Sequence, residues 1–253
     1  MFSLSAAPIT PAQLSTIPTP DIAPWASRAL HSRWRPIQHG ELAQTLLDQA
    51  DALGLALDRH TWQVSGPGDT DLFGCLDFRS SPSLEVPDGL LFSLGVRHSN
   101  AGRYALTLVT GARVLVCTNG MLVGEQVLSK RHTDDLDLRA TVRRGLEASI
   151  AQAGAVGDWF VRLGATELTG PQADRVMMEA ARTGVLSWSA LRQVDRAWSE
   201  PPHEVFRART AWSLYNAFTE VARTRSPAVQ LKALRGLRHL FDGRVLTDLV
   251  ELN

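Results

Sequence analysis

The chain has 253 residues, no net charge at pH 7, and a composition of 44% hydrophobic and 21% charged residues. This composition is typical of a globular protein with a sizeable core, and the neutral balance excludes general attraction to a nucleic-acid polyanion but not local basic patches. Two cysteines are too few for a disulfide framework, and no segment approaches the roughly 18 apolar residues that a membrane-spanning helix needs. The N-terminus has no basic stretch followed by an apolar run, so we expect a cytoplasmic protein without a signal peptide.

The first 40 residues are predicted to form an extended arm, and residues 41–253 a single domain. The arm contains six of the 13 prolines, and proline blocks helix formation and removes a backbone donor. The arm also contains two tryptophans, Trp25 and Trp34, and Arg33 and Arg35 flank the second of them. The tryptophans either pin the arm to the surface of the domain or bind a partner, for example by stacking on a base.

Residues 55–133 are predicted to be the β-rich part of the domain, after a helix over Glu41–Leu53. Apolar and alternating runs predict strands at Thr61–Ser65, Leu72–Phe78, Leu90–Arg97, Arg103–Thr110 and Arg113–Thr118. The segment from Ser99 to Gly102 contains residues that tolerate positive φ and predicts a hairpin turn, and Thr110-Gly111 predicts the next tight connection. We therefore expect an antiparallel sheet of about five strands.

From residue 134 to residue 253 the apolar spacing changes to that of a helix. A first helix is indicated by an i, i+4 apolar stripe at Leu138, Val142, Leu146 and Ile150. The later helices are predicted at Pro171–Thr183, Ser187–Trp198, His203–Arg223, and from Pro227 to near Leu240. The predicted fold class is therefore α+β, with an antiparallel sheet in the first half packed against a mostly α-helical second half.

Polar residues that can carry chemistry cluster at the ends of the predicted strands. They are His98, Ser99, Asn100, Cys117, Thr118, Asn119, Gly120, Arg131 and His132. A Cys117 thiolate paired with His98 or His132 could act as a nucleophile, because a nearby histidine lowers the pKa of a thiol. A single cysteine in a V-L-V-C run is more often a small buried hydrophobe, so we assign no catalytic residue and keep this arrangement as an alternative.

Metal and nucleotide chemistry have little support in the sequence. Four residues of zinc-ligand type are Cys75, Cys117, His98 and His132. They lack the close C-x₂-C or H-x₃-H spacing that makes such a prediction strong. The acidic residues Asp134, Asp135 and Asp137 are better explained as anions at a helix N-terminus. The chain has no P-loop, no G-x-G-x-x-G after a strand, and no hydrolase or kinase motif, so we expect neither a metal nor a cofactor.

Arginine-rich stretches favour binding of nucleic acid. Residues 203–239 contain seven Lys and Arg against two Glu, a net charge of +5, on two predicted amphipathic helices. Such helices can follow a phosphate backbone, although a solvated helix face explains the same charges. The candidate nucleic-acid-binding residues are Arg97, His98, Ser99, Asn100, Asn119, Arg131, His132, Arg207, Arg209, Arg223 and Arg225.

Four segments occur in a distinctive order: F-S-L-G-V-R-H-S-N, V-L-V-C-T-N-G-M, K-R-H-T and A-W-S-L-Y-N-A-F-T-E. Together they resemble the phage- and plasmid-like proteins known as domain of unknown function 932, over residues 20–225. The matching positions are Arg97, His98, Ser99, Asn100, Cys117, Thr118, Asn119, Gly120, Arg131, His132, Thr133, Trp212, Tyr215 and Asn216. The resemblance implies a bacterial or phage cytoplasmic setting and carriage on mobile elements, and it supplies no catalytic residues.

Three functions follow as hypotheses. The first is a non-enzymatic nucleic-acid-binding factor in replication, recombination or defence evasion, with single-stranded DNA as the candidate partner. A homo-oligomeric ring like that of phage annealing proteins is an analogy at the level of the fold. The second is an enzyme or small-ligand-binding protein with a pocket at His98, Cys117, Asn119 and His132. The third is a protein-interaction module that acts on a host factor.

Overall fold

The computed structural model describes residues 9–19, 34–86, 90–114, 126–201, 203–222, 233 and 236–248. These residues form two compact units. The sheet unit comprises the described residues from 5 to 112 and from 125 to 154, and the helical unit comprises residues 113–114 and those from 155 onward. None of the described helices is long and apolar enough to cross a membrane.

The sheet unit contains two helices, the sheet, and the start of a long helix. Its elements are α1 Pro11–Ser15, α2 His39–Ala52, β1 Ala56–Ser65, β2 Asp71–Arg79, β3 Leu90–Ser99, β4 Leu106–Val114, β5 Gln126–Lys130 and α3 Leu138–Ala165. A 3-10 turn at Pro67–Asp69 joins β1 to β2. Residues 113–114 of β4 and 155–165 of α3 belong to the helical unit.

The helical unit follows the end of α3 and has an aromatic core. Its elements are α4 Gly170–Arg182, α5 Trp188–Ser199, a 3-10 turn Glu204–Phe206, α6 Ala211–Ala222 and a π-helical segment Phe241–Asp248, preceded by helical residues 236–240. The ring centroid of Tyr215 lies 5.3 Å from that of Trp159 and 5.2 Å from that of Phe241, in edge-to-face geometry. The predicted bounds of α4 and α5 are confirmed to within one residue at each end.

The five strands form one antiparallel sheet in the order β1-β2-β3-β4-β5, which confirms the predicted α+β fold. Successive side chains of a strand point to opposite faces. Leu72 and Leu76 of β2 therefore share one face with their register partners on β3, His98 and Leu94. This is the core face, and its leucines belong to one hydrophobic cluster with buried residues of α2 and α3.

The predicted tight turn at Thr110-Gly111 is wrong, because β4 runs through both residues. The fifth described strand is Gln126–Lys130. Of the predicted strand Arg113–Thr118, residues 113–114 belong to β4 and the rest lies outside the described residues. A two-residue hairpin turn needs positive φ, and Gly111 is not among the described glycines that adopt it. Gly102, with φ of 71°, does adopt it in the connection between β3 and β4, where the turn was predicted.

The predicted helix over His203–Arg223 is interrupted before α6. The N–H of Leu168 donates to the carbonyl oxygen of Arg209 (2.8 Å), and the N–H of Ala211 donates to the carbonyl oxygen of Thr166 (2.8 Å). The chain that follows α3 therefore binds backbone groups that a continuous helix would use internally. As a result, the α-helix begins only at Ala211.

The predicted extended arm is wrong for the stretch that forms α1. Thr10 and Gln13 make a capping box: the Gln13 N–H donates to Thr10 Oγ1 (3.2 Å), and the Thr10 N–H donates to Gln13 Oε1 (2.8 Å). Pro11 occupies the first turn of the helix, where a missing N–H has no intrahelical partner to lose. Proline therefore starts this helix instead of preventing it.

Candidate functional site

The side chain of Asn100 holds the end of β3 to the chain that precedes α2. Its Nδ2 donates to the carbonyl oxygen of Ile37 (2.8 Å), and its Oδ1 accepts from the N–H of Ile37 (2.9 Å). The backbone N–H of Asn100 donates to the carbonyl oxygen of Thr70 (2.8 Å). All three residues are buried. Asn100 therefore ties three separate segments of the sheet unit together.

Three buried histidines lie in the sheet unit, each from a different segment. His39 is the first residue of α2, His98 lies on the core face of β3, and His132 follows β5. His39 Nδ1 lies 2.7 Å from His98 Nε2, and His39 Nε2 lies 2.8 Å from the carbonyl oxygen of Asp69. The ring centroids of His98 and His132 are 5.1 Å apart. We call these three residues the histidine chain.

The hydrogen-bond partners determine the tautomers of neutral His39 and His98. A carbonyl oxygen can only accept, so His39 carries its proton on Nε2 and accepts at Nδ1. His98 must then donate from Nε2, which leaves its Nδ1 unprotonated. Among the described residues, His98 Nδ1 and both ring nitrogens of His132 have no hydrogen-bond partner. The imidazoles of His98 and His132 are fully buried, so these ring nitrogens are hidden from solvent as well.

Burial disfavours a positive charge on the histidine chain. It lowers the pKa of His98 well below the ordinary value of 6.5, and the neighbouring His39 and His132 lower that pKa further. Burial, with a smaller contribution from His39, lowers the pKa of His132 to about 4. Burial also lowers the pKa of His39, against the opposing effects of the Asp69 carbonyl group and of the Asp71 and Asp69 carboxylates. The three imidazoles of the histidine chain are therefore uncharged at neutral pH.

Trp34 lies against His132 at one end of the histidine chain. The two rings stack with centroids 4.4 Å apart and an interplanar angle of 24°. The backbones also meet, because Trp34 forms an antiparallel bridge with Thr133, and the N–H of Arg35 donates to the carbonyl oxygen of His132 (3.1 Å). Trp34 is half-buried and His132 is fully buried, so the indole shields the imidazole from solvent on this side.

The face of the sheet opposite the core face carries mostly polar residues. The register of β1, β2 and β3 arranges them in three rows: Gln63, Phe73 and Arg97; Thr61, Cys75 and Gly95; Arg59, Asp77 and Ser93. We call these nine residues the polar face. Exposure decreases across it, from the exposed Arg59 and Thr61 on β1 to the buried Ser93 and Gly95 on β3.

An aromatic and arginine cluster lies on the polar face. The guanidinium carbon of Arg97 is 5.2 Å from the ring centroid of Tyr104, the residue two positions before β4. The ring of Tyr104 meets that of Phe73 edge to face, with centroids 5.9 Å apart. All three side chains are half-exposed. The cluster therefore offers a cation and two aromatic rings at one place.

Asp77 is a buried carboxylate on the polar face. It accepts hydrogen bonds from Arg59 Nε (2.7 Å), Ser93 Oγ (2.5 Å) and Cys75 Sγ (3.5 Å), which stabilise its charge. Because Cys75 lies on the face opposite His98, these two residues cannot ligate one metal ion. In the part of the chain that the structure describes, no three His, Cys, Asp or Glu side chains are arranged to hold a metal.

A family model described as Domain of unknown function (DUF932) matches residues 28–239. The chain belongs to the DUF932 family. No curated protein and no solved structure matches the chain. The DUF932 match covers nearly all of the described sheet and helical units, so both are parts of the family domain.

Three of the four residues in the DUF932 segment R-H-S-N are buried. His98 and Asn100 make the contacts described above. Ser99 Oγ accepts from the N–H groups of Ala101 (3.1 Å) and Arg103 (3.3 Å), which shapes the turn after β3. Of the four, only Arg97 is half-exposed and can reach a partner in this conformation.

The last DUF932 segment lies in α6, within the core of the helical unit. Asn216 Nδ2 donates to the carbonyl oxygen of Trp212 (2.8 Å), one turn earlier in the same helix. Tyr215 is fully buried, and burial raises the pKa of its hydroxyl well above the ordinary value of 10. These DUF932 residues therefore stabilise the helical unit.

Three of the remaining predicted site residues are described, and all three are exposed: Arg131 in the sheet unit, and Arg207 and Arg209 in the helical unit. Arg207 Nη1 lies 3.4 Å from Glu204 Oε1. Arg209 Nη1 donates to the carbonyl oxygen of Trp198 (2.7 Å), and its guanidinium lies over the Trp198 ring. The following predicted residues lie outside the described residues: Trp25, Arg33, Cys117, Thr118, Asn119, Gly120, Arg223 and Arg225.

His39, Phe73 and Tyr104 were not among the predicted site residues. Phe73 had a usable signal, because it alternates with Leu72 and therefore points away from the core face. Tyr104 and His39 had none, since Tyr104 lies just before β4 and His39 is the first residue of α2, where the apolar period does not assign a face. Their roles depend on partners that are distant in the DUF932 sequence.

Proposed function

We propose that this protein binds single-stranded nucleic acid on the polar face of its sheet and is not an enzyme. The observation that supports the proposal is the half-exposed cluster of Arg97, Tyr104 and Phe73 beside the exposed side chains of β1. The setting that we propose is the cytoplasm, where the protein is an accessory factor in replication, recombination or defence evasion of a phage or plasmid.

The chemistry of the cluster suits a single strand. Every base has a flat π surface, so aromatic side chains bind bases with little regard to sequence. Arg97 lies against Tyr104, which allows its guanidinium to contact a phosphate next to a base stacked on the ring. Gln63 and Thr61 add amide and hydroxyl groups along β1 that can bind sugar and phosphate oxygens.

Stacking is expected to contribute more than charge at this surface. Arg59 is paired with Asp77 (2.7 Å), and Arg103 with Asp71 (2.8 Å), so these two cations are already compensated. Few phosphates can then be neutralised, and each one neutralised on a single strand adds about 0.7 to the salt slope of log K. We therefore expect measurable binding at low salt with a shallow salt dependence.

The test is the fluorescence anisotropy of a labelled oligothymidylate with the full chain over a salt series. Tyr104→Ala should weaken binding by about ten-fold or more, because stacking contributes about 1–3 kcal/mol per base. Arg97→Ala should weaken binding and reduce the salt slope by about one phosphate contact.

Two matched controls lie on exposed positions of the helical unit. Trp188→Ala removes an aromatic residue that is 55% exposed, and Arg196→Ala removes an arginine whose side chain is 82% exposed. Both variants should bind the oligonucleotide as the unmodified protein does. No binding at low salt, or equal loss of binding in the cluster variants and the controls, would contradict the proposal.

A second candidate function is an enzyme or small-ligand-binding protein that uses the histidine chain. The observation that favours it is the approach of His98 and His132, with three ring nitrogens that lack partners among the described residues. If Cys117 completes such a site, a thiol reagent should label the native protein at one cysteine. Cys117→Ser should abolish this labelling, and Cys75→Ser should not. A native protein that does not react with the reagent would argue against this function.

A further inference from the structure

Residues 34–38, here called the strap, lie next to the histidine chain and lead directly into α2. We propose that the strap is a pH-sensitive device: protonation of the histidine chain detaches it from the end of β3 and from residues 132–133. The proposal is independent of the nucleic-acid site, because the strap and the histidine chain share no residue with the polar face.

The described ring and hydrogen-bond contacts of Trp34, Arg35 and Ile37 lead to residues 132–133 or to Asn100. Gln38, the last residue of the strap, binds α1 instead, because its Nε2 donates to the carbonyl oxygen of Ser15 (2.7 Å). Trp34 stacks on His132, and the N–H of Arg35 donates to the carbonyl oxygen of His132. Both backbone groups of Ile37 bind the side chain of Asn100. His39, the residue after the strap, then binds His98 through its ring. A change at the histidines therefore acts on both ends of the strap.

The hydrogen-bond geometry of the histidine chain suits neutral imidazoles and disfavours their protonation. Neutral His39 and His98 share one hydrogen between nitrogens that are 2.7 Å apart. A first added proton leaves a charge on one of two rings that have almost no exposed surface. A second added proton places two N–H groups against each other at this distance. A proton on His132 likewise finds no acceptor among the described residues.

Several charged groups surround the histidine chain and modify its titration. Those that face it or adjoin it in sequence are Asp69, Asp71, Arg103, Arg35 and Arg131. The two aspartates favour a protonated His39, but Asp71 is already paired with Arg103. The exposed Arg35, within the strap, and the exposed Arg131, next to His132, oppose a further positive charge. The face of the Trp34 ring attracts a cation on His132, although more weakly than burial opposes it.

Release of the strap removes the conflict between burial and protonation. With the strap docked, the imidazoles of His98 and His132 have no exposed surface. With the strap detached, water can reach these rings, solvate their unsatisfied nitrogens and stabilise their charged forms. Acid therefore favours the open form, because the open form binds protons that the closed form rejects.

Hydrogen–deuterium exchange with mass spectrometry tests the proposal on the full chain. Exchange is followed from about pH 7 to about pH 4.5, the range in which histidines titrate, after correction for the intrinsic pH dependence of exchange. The N–H groups of Arg35 and Ile37 should lose at least about ten-fold protection over this range, while those of α4 keep theirs. A strap that stays protected throughout, or that loses protection together with α4, would overturn the proposal.

A matched pair of variants assigns the effect to the histidine chain. His132→Phe keeps a ring against Trp34, loses no hydrogen bond from the ring among the described residues, and removes a titrating group. It should move strap release to lower pH. His203→Phe changes a half-buried histidine of the helical unit. In this variant the strap should be released at the same pH as in the unmodified protein. Release of the strap at the same pH in both variants contradicts the proposal. If His132→Phe does not fold, the pH dependence of exchange in the unmodified protein tests the proposal by itself.

Discussion

Asn100 shows how one side chain can determine a tertiary connection. Its amide binds both backbone groups of Ile37, which lies 63 positions earlier, and neither residue has appreciable exposed surface. In Asn100→Ala, the N–H and carbonyl groups of Ile37 stay buried without these partners, at a cost of about 1–3 kcal/mol for each unsatisfied group. We expect the free energy of unfolding to fall by about 3 kcal/mol, measured by urea denaturation.

Asn216→Ala is the matched control for this prediction. Asn216 is buried as well, but its Nδ2 donates to the carbonyl oxygen of Trp212 one turn back in the same helix. Removing that bond leaves the backbone hydrogen bonds of α6 in place, so the loss should be about 1 kcal/mol. Equal losses in the two variants would show that Asn100 does not act as a tertiary clamp.

At the scale of elements, the apolar period predicts helices and strands, and long-range backbone contacts decide where they end. The predicted strand Leu72–Phe78 forms the middle of β2, and its Leu72, Leu76 and Phe78 lie on the core face. The predicted helix does not continue through Arg209, because the carbonyl oxygen of Arg209 accepts a hydrogen bond from the N–H of Leu168, in the chain after α3. No local pattern contains this information, since the two segments are about 40 residues apart and meet only in the folded helical unit.

The candidate site was predicted in part for the same reason. The R-H-S-N segment was chosen because polar residues at the end of an apolar strand stand out in the sequence, and it contributes His98 to the histidine chain and Arg97 to the cluster on the polar face. Its side chains were expected to reach a ligand, whereas His98 and Asn100 are occupied by His39 and Ile37. A sequence pattern gives the position of a residue along an element, and it does not give the partner that a distant segment supplies.

At the scale of the whole molecule, the histidine chain makes folding stability depend on pH. The folded pKa of His132 is about 4, below the ordinary value of 6.5, so the unfolded chain binds the proton first as the pH falls. The contribution of His132 to stability is therefore fully present above about pH 6.5 and is lost progressively down to about pH 4. The difference between the two pKa values corresponds to about 3 kcal/mol.

Urea denaturation of the unmodified protein and of His132→Phe, at several values between pH 7 and pH 4.5, checks this prediction. The unmodified protein should lose more unfolding free energy than the variant, because only it gains the proton of His132 on unfolding. Opening of the strap limits the difference, since the open form binds the same proton as the unfolded chain does. The two plots of unfolding free energy against pH should therefore have the same slope below the pH at which exchange of the Ile37 N–H shows that the strap is released. Parallel curves over the whole range would mean that His132 titrates alike in the folded and unfolded chains.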